Sequence, residues 1–155
     1  MSETLYNTLK FVHVLMAIVW VGGGIAMQIQ AVRAQKAGTA KLIGFAKDVE
    51  WIGTRVFVPA SLILLIMGIW LVWGSPLWAW NTTWVLIGII GFLTSFVIGA
   101  TFLGPESGRL GKIVEEKGPD DPESARRIRR IFLVSRIDLV ILVVVVWAMV
   151  TKPGT

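Results

Sequence analysis

Between Arg55 and Glu106 the chain runs fifty residues without a charged side chain. As one helix that run would be about 75 Å long, more than twice the roughly 30 Å hydrocarbon core of a bilayer. It must therefore hold two membrane spans with a turn between them. Turn chemistry sits where it is needed, in GSPLWAWNTT, with Gly74, Pro76 and Asn81. This predicts helices over about 56–73 and 84–102.

Two further apolar stretches complete the pattern. Residues 11–32, FVHVLMAIVWVGGGIAMQIQAV, carry no formal charge and belong to a helix over about 5–30. Residues 131–150, IFLVSRIDLVILVVVVWAMV, form the last. The opening segment lacks the positive n-region and the short apolar stretch of a cleaved leader, so it reads as a permanent helix. The expected fold is an all-α integral membrane protein, one transmembrane domain over 1–155: a four-helix antiparallel bundle with cytoplasmic loops over about 33–55 and 104–130. A mean hydropathy of +0.72, with 55% hydrophobic and 16% charged residues, agrees with that class.

Lys and Arg set the orientation. Thirteen of the fifteen lie in the two long loops or at their membrane ends, against Lys10 and Lys152 on the opposite side. The positive-inside rule then places both loops in the cytoplasm and both termini outside, in a multi-pass protein of the inner (plasma) membrane. Trp70, Trp73, Trp78, Trp80, Trp84 and Trp147 fall near the outer ends, where indole rings prefer the interface. The net charge of +5 is explained by this arrangement, without nucleic acid.

The first loop predicts a short amphipathic helix along the inner surface, with Thr39 as its cap and Leu42, Ala46 and Val49 at helical spacing. In the second, Asp121 is an N-cap and Pro122 the first helical residue, so the last helix starts well before the bilayer. That puts Arg126, Arg127, Arg129 and Arg130 at headgroup level, as a topology anchor or a site for acidic lipid. Gly91, Ser95 and Gly99 form a small-residue stripe for close helix packing, within the bundle or in a homo-oligomer or larger membrane complex.

The absence of cysteine excludes disulfides and thiolate chemistry. There is no phosphate loop and no second histidine for a triad, so no catalytic residue is assigned and an enzyme is not expected beyond redox chemistry on a bound group. His13 is the only histidine and lies inside the membrane, which makes it a functional candidate by default. It shares a face with Met16, and Met67 lies at a similar depth on the second span. Imidazole and thioether are ligand types for haem b or Cu(I); a satisfied core histidine and a proton relay are the other readings of His13. Asp138 is the second intramembrane ionisable group. With Ser135 one turn away and Arg55 across the bundle, it is either an interhelical lock or a relay.

The segments KFVHVLMAIVWVGGG, RVFVPASLILLIMGIWLV, ATFLGPESGRL and WAMVTKPG resemble a family of predicted four-helix bacterial integral membrane proteins, distantly similar to the copper-resistance protein D membrane domain. A histidine one turn into the first helix, followed by tryptophan and glycines, also looks like the opening of membrane haem proteins of the protoporphyrinogen-oxidase J type. The matching depth of His13 and Met67 points to a haem-b or redox-associated membrane protein with His13 as ligand. A Cu(I)-handling protein and a non-catalytic accessory subunit of a larger membrane complex are the alternatives.

Overall fold

Each charge-free run becomes part of a helix longer than a membrane. The computed structural model describes residues 1–155 and is helical throughout its length apart from three short connections. Helix α1 spans Glu3–Lys36, its start capped by the Ser2 hydroxyl, which accepts from the Leu5 N–H. Helix α2, Thr39–Ile52, passes through a π-helical turn at Gly53–Phe57 into α3, Val58–Trp73. Helix α4, Thr83–Ile98, passes through a second π-helical turn at Gly99–Leu103 into α5, Gly104–Lys117. Helix α6 runs Pro122–Thr151, with the Asp121 carboxylate accepting from the Glu123 and Ser124 N–H groups.

The four continuous rods of 34, 35, 35 and 30 residues are about 45–52 Å long by helix rise. The surplus over the hydrocarbon core lies mainly at the Lys/Arg-rich end. Segments 33–55 and 104–130, expected as loops, are thus largely helix. The charged residues that mark the edge of the membrane do not mark the end of the helix, because Lys, Glu and Arg are good helix formers.

A proline explains both π-helical turns. Pro59 and Pro105 have no N–H to give to the carbonyl four residues back, and their rings crowd it. In each case the ladder widens by one residue just before the proline: Val58 N–H bonds to Gly53 O, and Gly104 N–H to Gly99 O. The helix continues through the turn, where a sharper break would have ended it. The two turns reach the same depth, each being separated from the 74–82 connection by a 16-residue helix.

In the membrane, α1 packs along α3 and α4 along α6, and α1 also touches α6; α3 and α4 make no extended interface. At the charged end α2 packs on α5. The expected surface helix therefore exists, with a different partner. Its Leu42 is buried with Leu110 and Val114 of α5 and Ile128 of α6 in a small core of their own, so its apolar stripe meets protein and not headgroups. Gly38, at φ 101°, takes the cap position expected of Thr39, which is the first helical residue. At the opposite end Met1 lies against Gly74 and Gly154 against Thr83, which puts both termini beside the 74–82 connection. Ile18, Ile90, Leu133 and Val140 are among the large apolar side chains left exposed around the bundle, a surface suited to lipid.

The small-residue stripe is used inside the chain. Gly88 lies under the Met149 methyl and Gly91 under Val145 Cγ2, which brings α4 and α6 close. Ser95 is 1% exposed. Gly99 touches no other side chain and borders a cavity instead.

Candidate functional site: a cavity between two helix pairs

Because α3 and α4 do not close on each other, the two helix pairs enclose a cavity of about 580 Å³. Both π-helical turns border it, through Gly53, Thr54 and Phe57 on one side and Gly99, Ala100 and Leu103 on the other. Thr54, Val58, Ala100 and Pro105 are exposed as well as lining, so the cavity opens sideways between the two rods that carry these turns. Trp20, which meets Phe92 edge-on at 5.2 Å, lies on the wall nearer the termini.

The polar groups deepest in this mostly apolar cavity come from α1, α4 and α6, with Glu50, Thr54, Ser61 and Ser107 elsewhere on its wall. Gln28 of α1 donates to the Ser135 hydroxyl of α6 at 2.7 Å, and that hydroxyl donates to Phe132 O at 3.2 Å. One turn further along α6, Asp138 faces the same space, within reach of the Ser95 hydroxyl of α4. Neither Ser95 Oγ nor Asp138 Oδ1 completes a hydrogen bond of normal geometry, although both atoms are buried. A buried polar atom without a partner is uncommon. Both atoms have almost no accessible surface, so a ligand or water in the cavity meets the half-buried Asp138 side chain rather than these two atoms.

Sequence reasoning singled out Asp138, Ser135 and Ser95, and the structure brings them together. It did not anticipate Gln28, whose neutral amide at the charged end of an apolar run carries no signal without knowing what it faces. The proposed lock between Asp138 and Arg55 is not formed. Arg55 is exposed, its guanidinium 5.9 Å over the Trp51 ring, because in the π-helical turn it is the neighbouring Thr54 that borders the cavity.

His13 is placed elsewhere. Its Nδ1 lies 2.9 Å from Leu64 O in α3. A carbonyl can only accept, so Nδ1 carries the proton and Nε2 is the nitrogen with a free lone pair. The ring lies against Gly68, where an added Cβ would stand 3.0 Å from Cε1. Met16 and Met67 are half-buried on the same two helices. None of the three borders the cavity.

The arginines at the start of α6 divide into two groups. Arg127 turns inward, pairing with Glu106 of α5 and with Glu123 at 3.0 Å, while Lys117 meets Glu123 at 2.8 Å. Hydrogen bonds from Lys117 and then Arg127 hold the Glu123 carboxyl below its ordinary value, and Glu123 raises Lys117 and Arg127. Arg126, Arg129 and Arg130 remain exposed, with Arg130 5.0 Å over the Phe102 ring.

A family model described as a predicted integral membrane protein (DUF2269) matches residues 7–153, nearly the whole chain. No curated protein and no solved structure matches it. The match agrees with the membrane family expected from the four sequence segments and adds nothing for the likeness to copper-resistance protein D.

Proposed function

The chain belongs to that family of integral membrane proteins, and from this premise we propose that it binds a small, largely apolar molecule within the bilayer, in the cavity between its two helix pairs. One observation carries the reading: a mostly apolar space of about 580 Å³ bordered by Asp138, a half-buried intramembrane acid with no ion-pair partner in the chain. That volume and that ratio of apolar wall to a few convergent polar groups are typical of small-molecule sites. The gap between α3 and α4 offers a path from the lipid, and the positive-inside rule makes the charged end cytoplasmic, in a plasma membrane. π-helical turns at both sides of the opening fit a site built where helices depart from regular geometry.

The test is saturable binding of 4-phenylbutanol to protein in lipid nanodiscs, measured by equilibrium dialysis against empty discs. The control is Gly99→Phe, since position 99 faces open space beside the cavity and an aromatic ring there would obstruct part of it. Saturable binding by the wild type that is lost in Gly99→Phe supports the proposal. Uptake no greater than that of empty discs would end it.

A second reading keeps His13 as a ligand, through Nε2, to haem b or Cu(I). The Nδ1–H donated to Leu64 O supports it, because a ligating histidine usually donates its other nitrogen to a carbonyl or carboxylate. Met16 or Met67 would supply the thioether. The centre would have to sit at the α1–α3 seam, away from the cavity, since none of these residues borders it. An optical spectrum and elemental analysis of protein from haem- and copper-replete cells decide it: no Soret band and no bound copper would remove this reading. The accessory-subunit alternative loses the surface first suggested for it, because Gly91 and Ser95 are engaged inside the bundle.

A further inference from the structure

We propose that the molecule held in this cavity is a lipophilic cation, a protonated amine on an apolar body, with its charge met by the Asp138 carboxylate. This inference rests on the cavity-binding reading above and adds the sign of the ligand's charge.

The side chains that border the space carry one sign of charge. Two of them are ionisable, Asp138 and Glu50, and both are acids; no Lys, Arg or His is among the lining residues. This asymmetry is notable in a chain with net charge +5, where basic side chains outnumber acidic ones three to two. The nearby cations are all directed elsewhere. Arg55 covers Trp51, Arg136 lies 6.0 Å over Phe132, Arg130 covers Phe102, and Arg127 pairs with Glu106 and Glu123. Asp138 therefore lacks an ion-pair partner within the chain.

An intramembrane carboxylate without a partner is costly, and such groups mark sites for a substrate or ion. Asp138 borders the cavity half-buried, with the Ser95 hydroxyl within reach behind it. An ammonium group brings to that carboxylate both the opposite charge and up to three N–H donors. A neutral alcohol offers one donor and a carboxylate none. Most of the remaining wall is apolar, which suits a ligand whose other atoms are hydrocarbon or aromatic. Glu50, at the charged end of the cavity and exposed to solvent, gives the mouth the same negative sign and draws cations toward it.

Three probes of nearly equal size separate the terms: 4-phenylbutylammonium, 4-phenylbutanol and 4-phenylbutyrate, each dialysed at pH 7 against nanodiscs of neutral phosphatidylcholine with and without protein. The wild type is expected to bind the ammonium about tenfold or more tighter than the alcohol, the worth of a charge-assisted hydrogen bond, and to bind the carboxylate more weakly than either. In Asp138→Asn the ammonium should fall to the level of the alcohol, while the alcohol's affinity stays nearly unchanged. Equal binding of ammonium and alcohol by the wild type would overturn the inference and leave the cavity reading standing. If none of the three binds saturably, both fail. The comparison within the wild type needs no variant, and thermal unfolding of Asp138→Asn establishes whether its result comes from folded protein.

Discussion

Gly68 lies directly against the His13 ring: a Cβ at that position would stand 3.0 Å from Cε1 and 3.4 Å from Nδ1. The close approach is what lets Nδ1 reach Leu64 O, one turn earlier on α3. Gly68→Val should push the ring away and break this bond. Intramembrane hydrogen bonds are worth about 0.6 kcal/mol on average and about 1.7 at most, with an overpacking cost of about 1–3 kcal/mol added by the valine. His13→Ala should lose the hydrogen bond and much of that overpacking. The two effects are therefore coupled, and the double variant should be no less stable than Gly68→Val alone. Thermal unfolding in detergent, followed by tryptophan fluorescence, provides the measurement. Strictly additive losses would show that the two residues do not act together.

Two glycines of one stripe should respond in opposite directions. Gly91 is covered by Val145 and Ile141, whereas nothing lies within 4 Å of a Cβ at Gly99. Gly91→Leu should separate α4 from α6 and cost about 1–3 kcal/mol, the usual range for overpacking. Gly99→Ala should be neutral or gain up to about 1 kcal/mol from helix propensity alone. Equal destabilisation by both would mean that the stripe packs along its whole length. The same thermal unfolding assay checks this.

The cluster at the charged end should make the junction of α5 and α6 sensitive to pH at both extremes. Glu123 is held below its ordinary 4.5 by Lys117 first and Arg127 second. Its contribution is present above that ordinary value and is lost as pH falls through the lowered one. Lys117 is raised above 10.5, chiefly by its hydrogen bond to Glu123. Its contribution is present below 10.5 and is lost as pH rises through the raised value. Protection of the 117–123 amides against hydrogen exchange, corrected for intrinsic rates, should be flat between these limits and decline outside them. Glu123→Gln should remove the acid limb, and salt should lower the plateau because these groups are open to solvent. An acid limb that persists in Glu123→Gln would assign it to another carboxylate.

The membrane portion of the fold was legible because hydrocarbon imposes one rule on every residue of a span: no unpaired charge and no unpaired backbone. The fifty-residue run after Arg55 and the turn at Gly74–Asn81 announce two helices by that rule alone. Asp121 and Pro122 announce a third by cap chemistry. The continuity of α2 with α3 and of α4 with α5 was harder to see, since charge marks the edge of the bilayer and not the end of a helix. A signal was present in GTRVFVP and GATFLGP, each with glycine six residues before proline, matching the two π-helical turns. Asp138 stands out as an acid in an apolar run and Ser95 as a small residue of a packing stripe, but their meeting beside one cavity depends on α3 and α4 staying apart, a tertiary outcome. The direction of Arg55 is likewise a tertiary outcome: the π-helical turn aims Thr54, and not Arg55, at the cavity.

The arginines at the start of α6 should separate a lipid-facing role from a structural one. Arg126, Arg129 and Arg130 are three and four residues apart, on one exposed face, at the depth where the helix leaves the membrane. Arg127 is turned about 100° away from Arg126 and is engaged with Glu106 and Glu123. A basic residue near an anionic surface contributes about 1 kcal/mol, so the three together are worth about a hundredfold in affinity for acidic lipid, less at higher salt. Replacing all three with Gln should remove most of the phosphatidylglycerol retained by the protein in native mass spectrometry, with thermal stability nearly unchanged. Arg127→Gln should do the reverse, keeping the lipid and lowering stability, because it leaves Glu106, 6% exposed, without its inner partner. If Arg127→Gln sheds lipid as readily as the triple variant, the division between the two faces is wrong and the four arginines act as one patch.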